Sequence, residues 1–381
     1  MNIQKSILTS GFLLFLIIVL MSCKQEGKYQ AFTPGELWLD NNNVHINAHG
    51  GGILYDNGTY YWFGEHKTEG ENGNLANVGV HCYSSKDLYN WTDEGIALSV
   101  IEADSTHDIA KGCILERPKV IHNKKTKKYI MYFHLEPKGQ GYEGARSGIA
   151  ISDKATGPYS YIRSVRPNAG HWPFNAPEIL TKGPVRVEGA IFTGGSLSAP
   201  ADSLNILGRD MQGGQMARDM TLFVDDDGTA YHIYSSEENS TLHIAQLTED
   251  YLDYADKYAR FFPDRFMEAP AIFKKDEKYY LMASGCTGWA PNEARSAVAK
   301  SIWGPWTELG NPCIGIDADL TFHSQSTYIL PIQGKNSQFI YMGDRWTPND
   351  AIDGRYIWLP IKFEGDKFTI EWKDSWILND L

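Results

Sequence analysis

The feature that most restricts this chain's fold is a short pattern written five times. An apolar run, a turn of Asp, Asn, Gly or Lys, and a second apolar or aromatic run recur as "GGILYDNGTYYWFGE", "PKVIHNKKTKKYIMYFH", "MTLFVDDDGTAYHIYSS", "PAIFKKDEKYYLMAS" and "STYILPIQGKNSQFIYMGD". Each reads as a β-hairpin, because strand-forming residues flank a turn of the residues that tolerate tight backbone geometry. A third strand-like run follows every hairpin, from "NVGVHCYSSKDLYNW" to "GRYIWLPIKFEGDKFTI", and in most units a polar turn and an aromatic residue open a fourth. Antiparallel units of this kind, spaced roughly 50 to 100 residues apart, predict an all-β, five-bladed β-propeller around a central channel. A β-sandwich would also use many short strands, but it gives no reason for five similar hairpins. The long interval between the second and third units, about residues 165–212, is read as an inserted loop or small hairpin over one face.

The N-terminus is excluded from that fold. Lys5 precedes the apolar stretch "ILTSGFLLFLIIVL", which sits where a signal peptide belongs and is short for a membrane span. Leu20-Met21-Ser22-Cys23 resembles a bacterial lipobox, which implies cleavage before Cys23 and lipidation of that residue. The expected organisation is a signal peptide over 1–22, a tether over 23–34 and one domain over 35–381. The expected location is the bacterial cell envelope, lipid-anchored in the outer membrane or periplasm, with membrane contact only through the lipid. A net charge of −12 argues against nucleic acid as a partner. Cys82, Cys113, Cys286 and Cys313 form no C-x-x-C, so a zinc ribbon is not supported, and their pairing is not readable from sequence.

In a propeller the first strand of each blade lines the channel, so the residues leading into it surround one mouth. Here those residues are Asn47-Ala48-His49-Gly50, Leu115-Glu116-Arg117-Pro118, Ala217-Arg218-Asp219-Met220, Met267-Glu268-Ala269-Pro270 and His323-Ser324-Gln325-Ser326. One polar residue before an apolar run could merely cap a strand; the same placement in all five units points to a shared cleft. Carboxylates crowded over an apolar floor have their pKa values pushed apart, which is what acid-assisted glycoside hydrolysis needs. Glu268, flanked by Met267, Ala269 and Pro270, is the best acid, and Asp219 beside Arg218 is the better candidate for an ionised partner. Competing chemistries lack their motifs. The glycines of "NAHGGGIL" are followed by a strand pattern rather than the helix a phosphate loop needs. His45, His49, His66 and His81 show no HExxH spacing, and no G-x-S-x-G occurs.

At these residues the chain resembles glycoside hydrolase family 43, five-bladed propellers acting on plant glycans, and within it the branch containing exo-β-1,3-galactanases. The resemblance runs from about Gly35 to Trp376 through "HGGGIL", "YYWFGE", "ERPKVI", "RDMTLFVDDDG", "EAPAIFK", "SGCTGWAPN", "GPW", "SQST" and "GDRW". It implies an inverting, exo-acting hydrolase releasing terminal β-1,3-linked galactose. Glu268 would be the general acid, Asp219 the residue tuning it, Glu116 a substrate contact near the scissile bond, and Gln325 the holder of the attacking water. Glu65, His49, Arg117 and Arg345 are expected at the sugar, with Trp289 and Trp346 as stacking or wall residues. Most family members open the first blade with Asp-Pro, whose Asp is the base; Ala48-His49 stands there instead, and an amide such as Gln325 is a poor base. Related readings are an α-L-arabinofuranosidase or galactofuranosidase, and, in another class, a non-catalytic sugar-binding lipoprotein. The partner expected is an oligo- or polysaccharide, the enzyme is expected to be a monomer, and no cofactor is required. By the same resemblance a structural calcium or sodium ion could sit in the channel near His323.

Overall fold

A computed structural model describes residues 28–381. The first blade is β1 (His49–Asp56), β2 (Thr59–His66), β3 (Gly79–Ser85) and β4 (Thr92–Ser99). The second is β5 (Ile114–Asn123), β6 (Lys128–Glu136), β7 (Arg146–Ser152) and β8 (Ser160–Val165). An insertion follows, with α1 (Glu178–Lys182), a small hairpin of β9 (Phe192–Thr193) and β10 (Ser196–Leu197), α2 (Ala201–Leu204) and α3 (Ile206–Asp210). The third blade is β11 (Met220–Val224), β12 (Ala230–Ser236), β13 (Thr241–Leu247) and β14 (Tyr254–Phe261). The fourth is β15 (Glu268–Lys275), β16 (Lys278–Ser284), β17 (Arg295–Ala299) and β18 (Thr307–Gly310). In the fifth, β20 (Gln325–Pro331), β21 (Phe339–Arg345), β22 (Arg355–Glu364) and β23 (Lys367–Glu371) form the meander, and β19 (Cys313–Ile314) adds in parallel at the outer edge. The fold is the five-bladed propeller that the repeated hairpins predict.

The inner strands neighbour one another in the order β1, β5, β11, β15, β20, and β20 returns to β1. Apolar residues fill the seams between blades. Phe63, Cys82, Met131 and Phe133 lie between blades one and two, and Tyr132, Ile149, Tyr234 and Tyr258 between two and three. Ile233, Leu242, Leu281 and Ala297 lie between three and four, and Phe273, Tyr280, Tyr341 and Leu359 between four and five. The seam between blades five and one is the most aromatic, with Trp62, Trp91, Trp358 and Trp376 all buried. Phe32 stacks on Trp376 at 4.4 Å and pairs with it backbone to backbone, so the two ends of the described chain close the ring. This corrects the expected tether over 23–34: its last residues are packed, because a propeller needs a non-covalent fastening where its first and last blades meet. Cys23 and the signal-peptide reading lie outside the described residues.

A repeated irregularity positions the site. Where β1, β5 and β15 begin, one extra residue bulges out between His49 and Gly52, Glu116 and Lys119, and Glu268 and Ala271. The residue after each mouth position is left-handed: Gly50 (φ 59°), Arg117 (φ 57°) and Ala269 (φ 51°). Such bulges re-aim a side chain and are common beside active sites, and non-glycine residues hold this backbone only where the surroundings enforce it. In blade five the register breaks between Ser326 and Tyr328. Gly50 could not be replaced by a larger residue without disturbance, since a Cβ there would meet Glu65 Oε1 at 2.1 Å.

Candidate active site

Side chains from all five blades converge on a pocket of about 300 Å³ at the axis, lined among others by Glu65, Glu116, Arg117, Asp219, Glu268, Gln325 and Trp346. The channel beneath is blocked by buried Lys119, whose Nζ donates to Gly50 O at 2.7 Å, and by buried Asp344. The pocket is therefore blind.

Glu268 opens β15 as a partly buried carboxyl. Burial, reinforced by the neighbouring Asp219 charge and only partly offset by Arg117, lifts it to about 7. Its Oε2 accepts from Gln325 Nε2 at 3.0 Å, and Oε1 lies 3.4 Å from Cys286 Sγ and from Asn239 Nδ2. Arg117 organises the other side. Its Nη2 reaches Asp219 Oδ2 at 3.0 Å and donates to Gln325 Oε1, and its Nη1 donates to Ser326 O at 3.1 Å. Because a guanidinium only donates, Gln325 must present its oxygen to Arg117 and its nitrogen to Glu268. The backbone N–H of Arg117 donates to Glu65 Oε1 at 2.9 Å, and Glu65 Oε2 lies 2.6 Å from Lys67 Nζ.

Glu116 behaves oppositely to Glu268. Burial pushes it up, but His134, with Lys67 and Arg117, outweighs burial and holds it at about 2. His134 bridges two carboxylates, Nδ1 to Glu116 Oε2 at 3.1 Å and Nε2 to Glu136 Oε1 at 2.9 Å. Burial opposes charging the ring, but the two carboxylates prevail and raise it to about 9. Tyr142 donates its hydroxyl to Glu116 Oε1 at 3.0 Å. At neutral pH Glu268 can thus hold its proton, whereas Glu116 is a fixed anion.

Of the expected site residues, Glu65, Glu116, Arg117, Asp219, Glu268, Trp289, Gln325 and Trp346 do meet in the pocket. Trp289 is half exposed and packs edge-on against Trp346 at 5.7 Å. Two expectations are corrected. His49 is fully buried behind Trp346, stacked on it at 5.2 Å, and sealed by Gly354, where even a Cβ would fall 1.4 Å from the ring. Arg345 turns away, donating to Phe322 O and lying over Trp372 at 5.5 Å. Trp346 and Gly354 enclose the first, and the Phe322 carbonyl and Trp372 hold the second away from the mouth. Residues missed from the sequence are His134, Tyr142, Asn239, Cys286 and the insertion's Gly194, all on the pocket wall, where Arg218 of the third mouth also lies.

The residues do not fit a metal in the expected place. His323 sits on the surface with Asp317 Oδ2 3.2 Å away, and Asp219 and Glu65 are already paired with Arg117 and Lys67. Among the described residues, Glu116, His134 and Asp219 come close enough to share an ion. His134, however, spends both nitrogens on carboxylates and is held protonated, so it has no lone pair to offer. The four described cysteines are free thiols.

A five-bladed propeller with a blind pocket, a neutral-capable carboxyl and a second, ionised carboxyl defines a glycoside hydrolase of the propeller type. The profile described as Glycosyl hydrolases family 43 matches residues 202–338. A family 43 β-1,3-galactosidase solved with galactodeoxynojirimycin is 52% identical, with a TM-score of 0.86 over 91% of this chain and 100% of that one. The Phanerochaete chrysosporium exo-β-1,3-galactanase, solved with β-1,3-galactotriose, is 32% identical, with a TM-score of 0.73 over 92% of this chain and 69% of that one. The exo-β-1,3-galactanase of Clostridium thermocellum is 34% identical, with a TM-score of 0.72 over 91% of this chain and 66% of that one. No curated protein sequence matches. The chain belongs to glycoside hydrolase family 43.

Proposed function

We propose that this enzyme releases terminal galactose from β-1,3-linked galactans by an inverting, single-displacement reaction at chain ends. The observation that carries the reading is the blind pocket of about 300 Å³ with Glu268 lifted to about 7 inside it. That volume lies at the lower end for ligand sites, roughly 300–1,000 Å³, and suits a terminal sugar rather than a chain passing through. The similarity to β-1,3-galactosidases supports the choice of sugar.

Glu268 gives its proton to the glycosidic oxygen, and Asp219 keeps that proton in place by making a second nearby anion costly. Gln325 retains one Oε1 lone pair after Arg117 has donated to it, and that lone pair accepts a hydrogen bond from the attacking water. The transition state is oxocarbenium-like, so bond breaking leads and the water needs orientation more than early deprotonation. Glu116, a weak base at about 2, accepts hydrogen bonds from sugar hydroxyls. The enzyme acts from a lipid anchor in the cell envelope.

The test is NMR of the products from β-1,3-galactobiose, with an aryl α-L-arabinofuranoside as comparison. Initial α-galactose supports the proposal. Initial β-galactose overturns inversion, arabinose release without galactose release overturns the substrate, and binding without either release favours the sugar-binding alternative. A second measurement separates the two polar partners. Gln325→Ala is expected to lower kcat about 100-fold, the lower end for losing a group that handles the transferring water. Glu116→Ala is expected to act chiefly on KM, as loss of binding shared by ground and transition states does. The reverse pattern would make Glu116 the water's partner.

A further inference from the structure

Cys286 lines the pocket and takes no part in the scheme above. The other described cysteines, Cys82, Cys113 and Cys313, are buried in the blade seams; Cys286 alone among them is partly exposed. Its Sγ lies 3.4 Å from Glu268 Oε1 and 3.6 Å from Asn239 Nδ2.

The two oxygens of Glu268 are chemically unlike. Oε2 receives the Gln325 N–H at 3.0 Å, and an amide nitrogen has no lone pair to give, so Oε2 is an acceptor in either charge state. The proton of neutral Glu268 is assigned to Oε1, whose contacts are longer, at 3.4 Å, and leave a direction free. Its neighbours there are Asn239 Nδ2, again only a donor, and the Cys286 sulfur. Sulfur is the one of these that both accepts and donates, each weakly. The charged groups facing Glu268 are Asp219 and Arg117.

We propose that Cys286 is a positioning residue for the acid's proton, resting on the reading of Glu268 as the acid. The thiol sulfur accepts the O–H of neutral Glu268 and holds it on the pocket side. Once the proton has passed to the glycosidic oxygen, the S–H turns to donate to the Oε1 carboxylate. A weak partner suits this task. A hydroxyl in the same place would stabilise the carboxylate more strongly and leave the acid ionised at working pH, whereas an apolar side chain would leave the spent Oε1 with only the Asn239 N–H at 3.4 Å.

The test is the pH profile of kcat/KM on β-1,3-galactobiose for Cys286→Ser and Cys286→Ala. The basic limb is expected to move to lower pH in the serine variant and to higher pH in the alanine variant, each by about half a unit or more. Lost packing alone would lower kcat/KM at every pH and move neither limb. Unmoved limbs, or movement of both in one direction, overturn the proposal. Should a variant fail to fold, methyl methanethiosulfonate on the wild-type enzyme gives the same information. The Cys286 thiolate attacks the reagent's sulfenyl sulfur and expels methanesulfinate, and the capped sulfur has no proton to donate. The basic limb is then expected to move upward and to return after dithiothreitol. A fully labelled Cys286 with an unchanged profile overturns the proposal. Failure of the underlying reading is seen separately. On an aryl β-galactoside whose leaving group needs no proton, Glu268→Gln should lose the basic limb, and its persistence there would remove Glu268 as the acid whatever Cys286 does.

Discussion

Glu268→Gln is expected to lower kcat on β-1,3-galactobiose by about 10²- to 10⁴-fold, the span usual for removing a general acid. The loss should be far smaller on an aryl galactoside with a good leaving group, where protonation contributes little. The substitution is nearly isosteric, and Gln325 Nε2 can still donate to the new carbonyl, so the pocket is expected to keep its shape and KM to change little. The same substitution makes a stability prediction of definite sign. In the folded enzyme Glu268 titrates near 7, above the ordinary value of 4.5, so the folded state holds a proton that the unfolded chain releases. That contribution is fully present below about 4.5 and is lost as pH rises through 7. Glutamine has no proton to lose. The variant should therefore gain stability relative to wild type as pH rises from 4.5 to 8, seen as a Tm difference that grows over that interval. A buried carboxyl that stabilises nothing at its working pH is a group retained for chemistry. A Tm difference independent of pH, or unchanged kcat on galactobiose, would remove Glu268 from the acid's role.

How far the site was legible follows from the hairpins. Their apolar runs are a strong signal because each blade buries both faces against its neighbours, so the five mouths could be read off as the positions before each inner strand. That reading reached Glu116, Asp219, Glu268 and Gln325, all of which line the pocket. It did not reach the partners on the second strands, although the register holds them. Counting outward from each turn, and allowing one bulged residue, sets Glu116 opposite His134, Glu268 opposite Ser284 and Gln325 opposite Asp344. The bulge itself has a trace in sequence, since "ERP" and "EAP" both place a proline within it, where no ladder hydrogen bond is lost. Tyr142, Asn239 and Cys286 are different. They come from loops whose approach depends on backbone conformation, such as the left-handed run Glu237–Glu238–Asn239, and no periodic signal marks them. The aromatic richness was also ambiguous: five of the eleven tryptophans close the seam between blades five and one, and only Trp289 and Trp346 line the pocket.

The second large effect is expected at Arg117, through two substitutions that separate charge from shape. Its guanidinium serves Gln325, Asp219 and the Ser326 carbonyl at once, which a planar fork can do and an ammonium cannot. Arg117→Lys keeps a cation beside Asp219 but cannot hold the Gln325 oxygen in the same geometry. It should lower kcat about 100-fold, as a misplaced reacting group does, with the basic limb of the pH profile nearly unmoved. Arg117→Ala removes the charge as well. The cation that holds Glu268 down is then gone while the Asp219 charge that raises it remains, so the basic limb should move to higher pH as activity falls. Leaving Asp219 without its partner should also destabilise the fold by about 3–5 kcal/mol, the usual cost of breaking one side of a buried ion pair. Denaturant midpoints and pH profiles of both variants measure these outcomes. A lysine variant with wild-type kcat would mean that the orientation of Gln325 is immaterial to the reaction. An alanine variant whose basic limb moves to lower pH would mean that Arg117 does not face Glu268 as described.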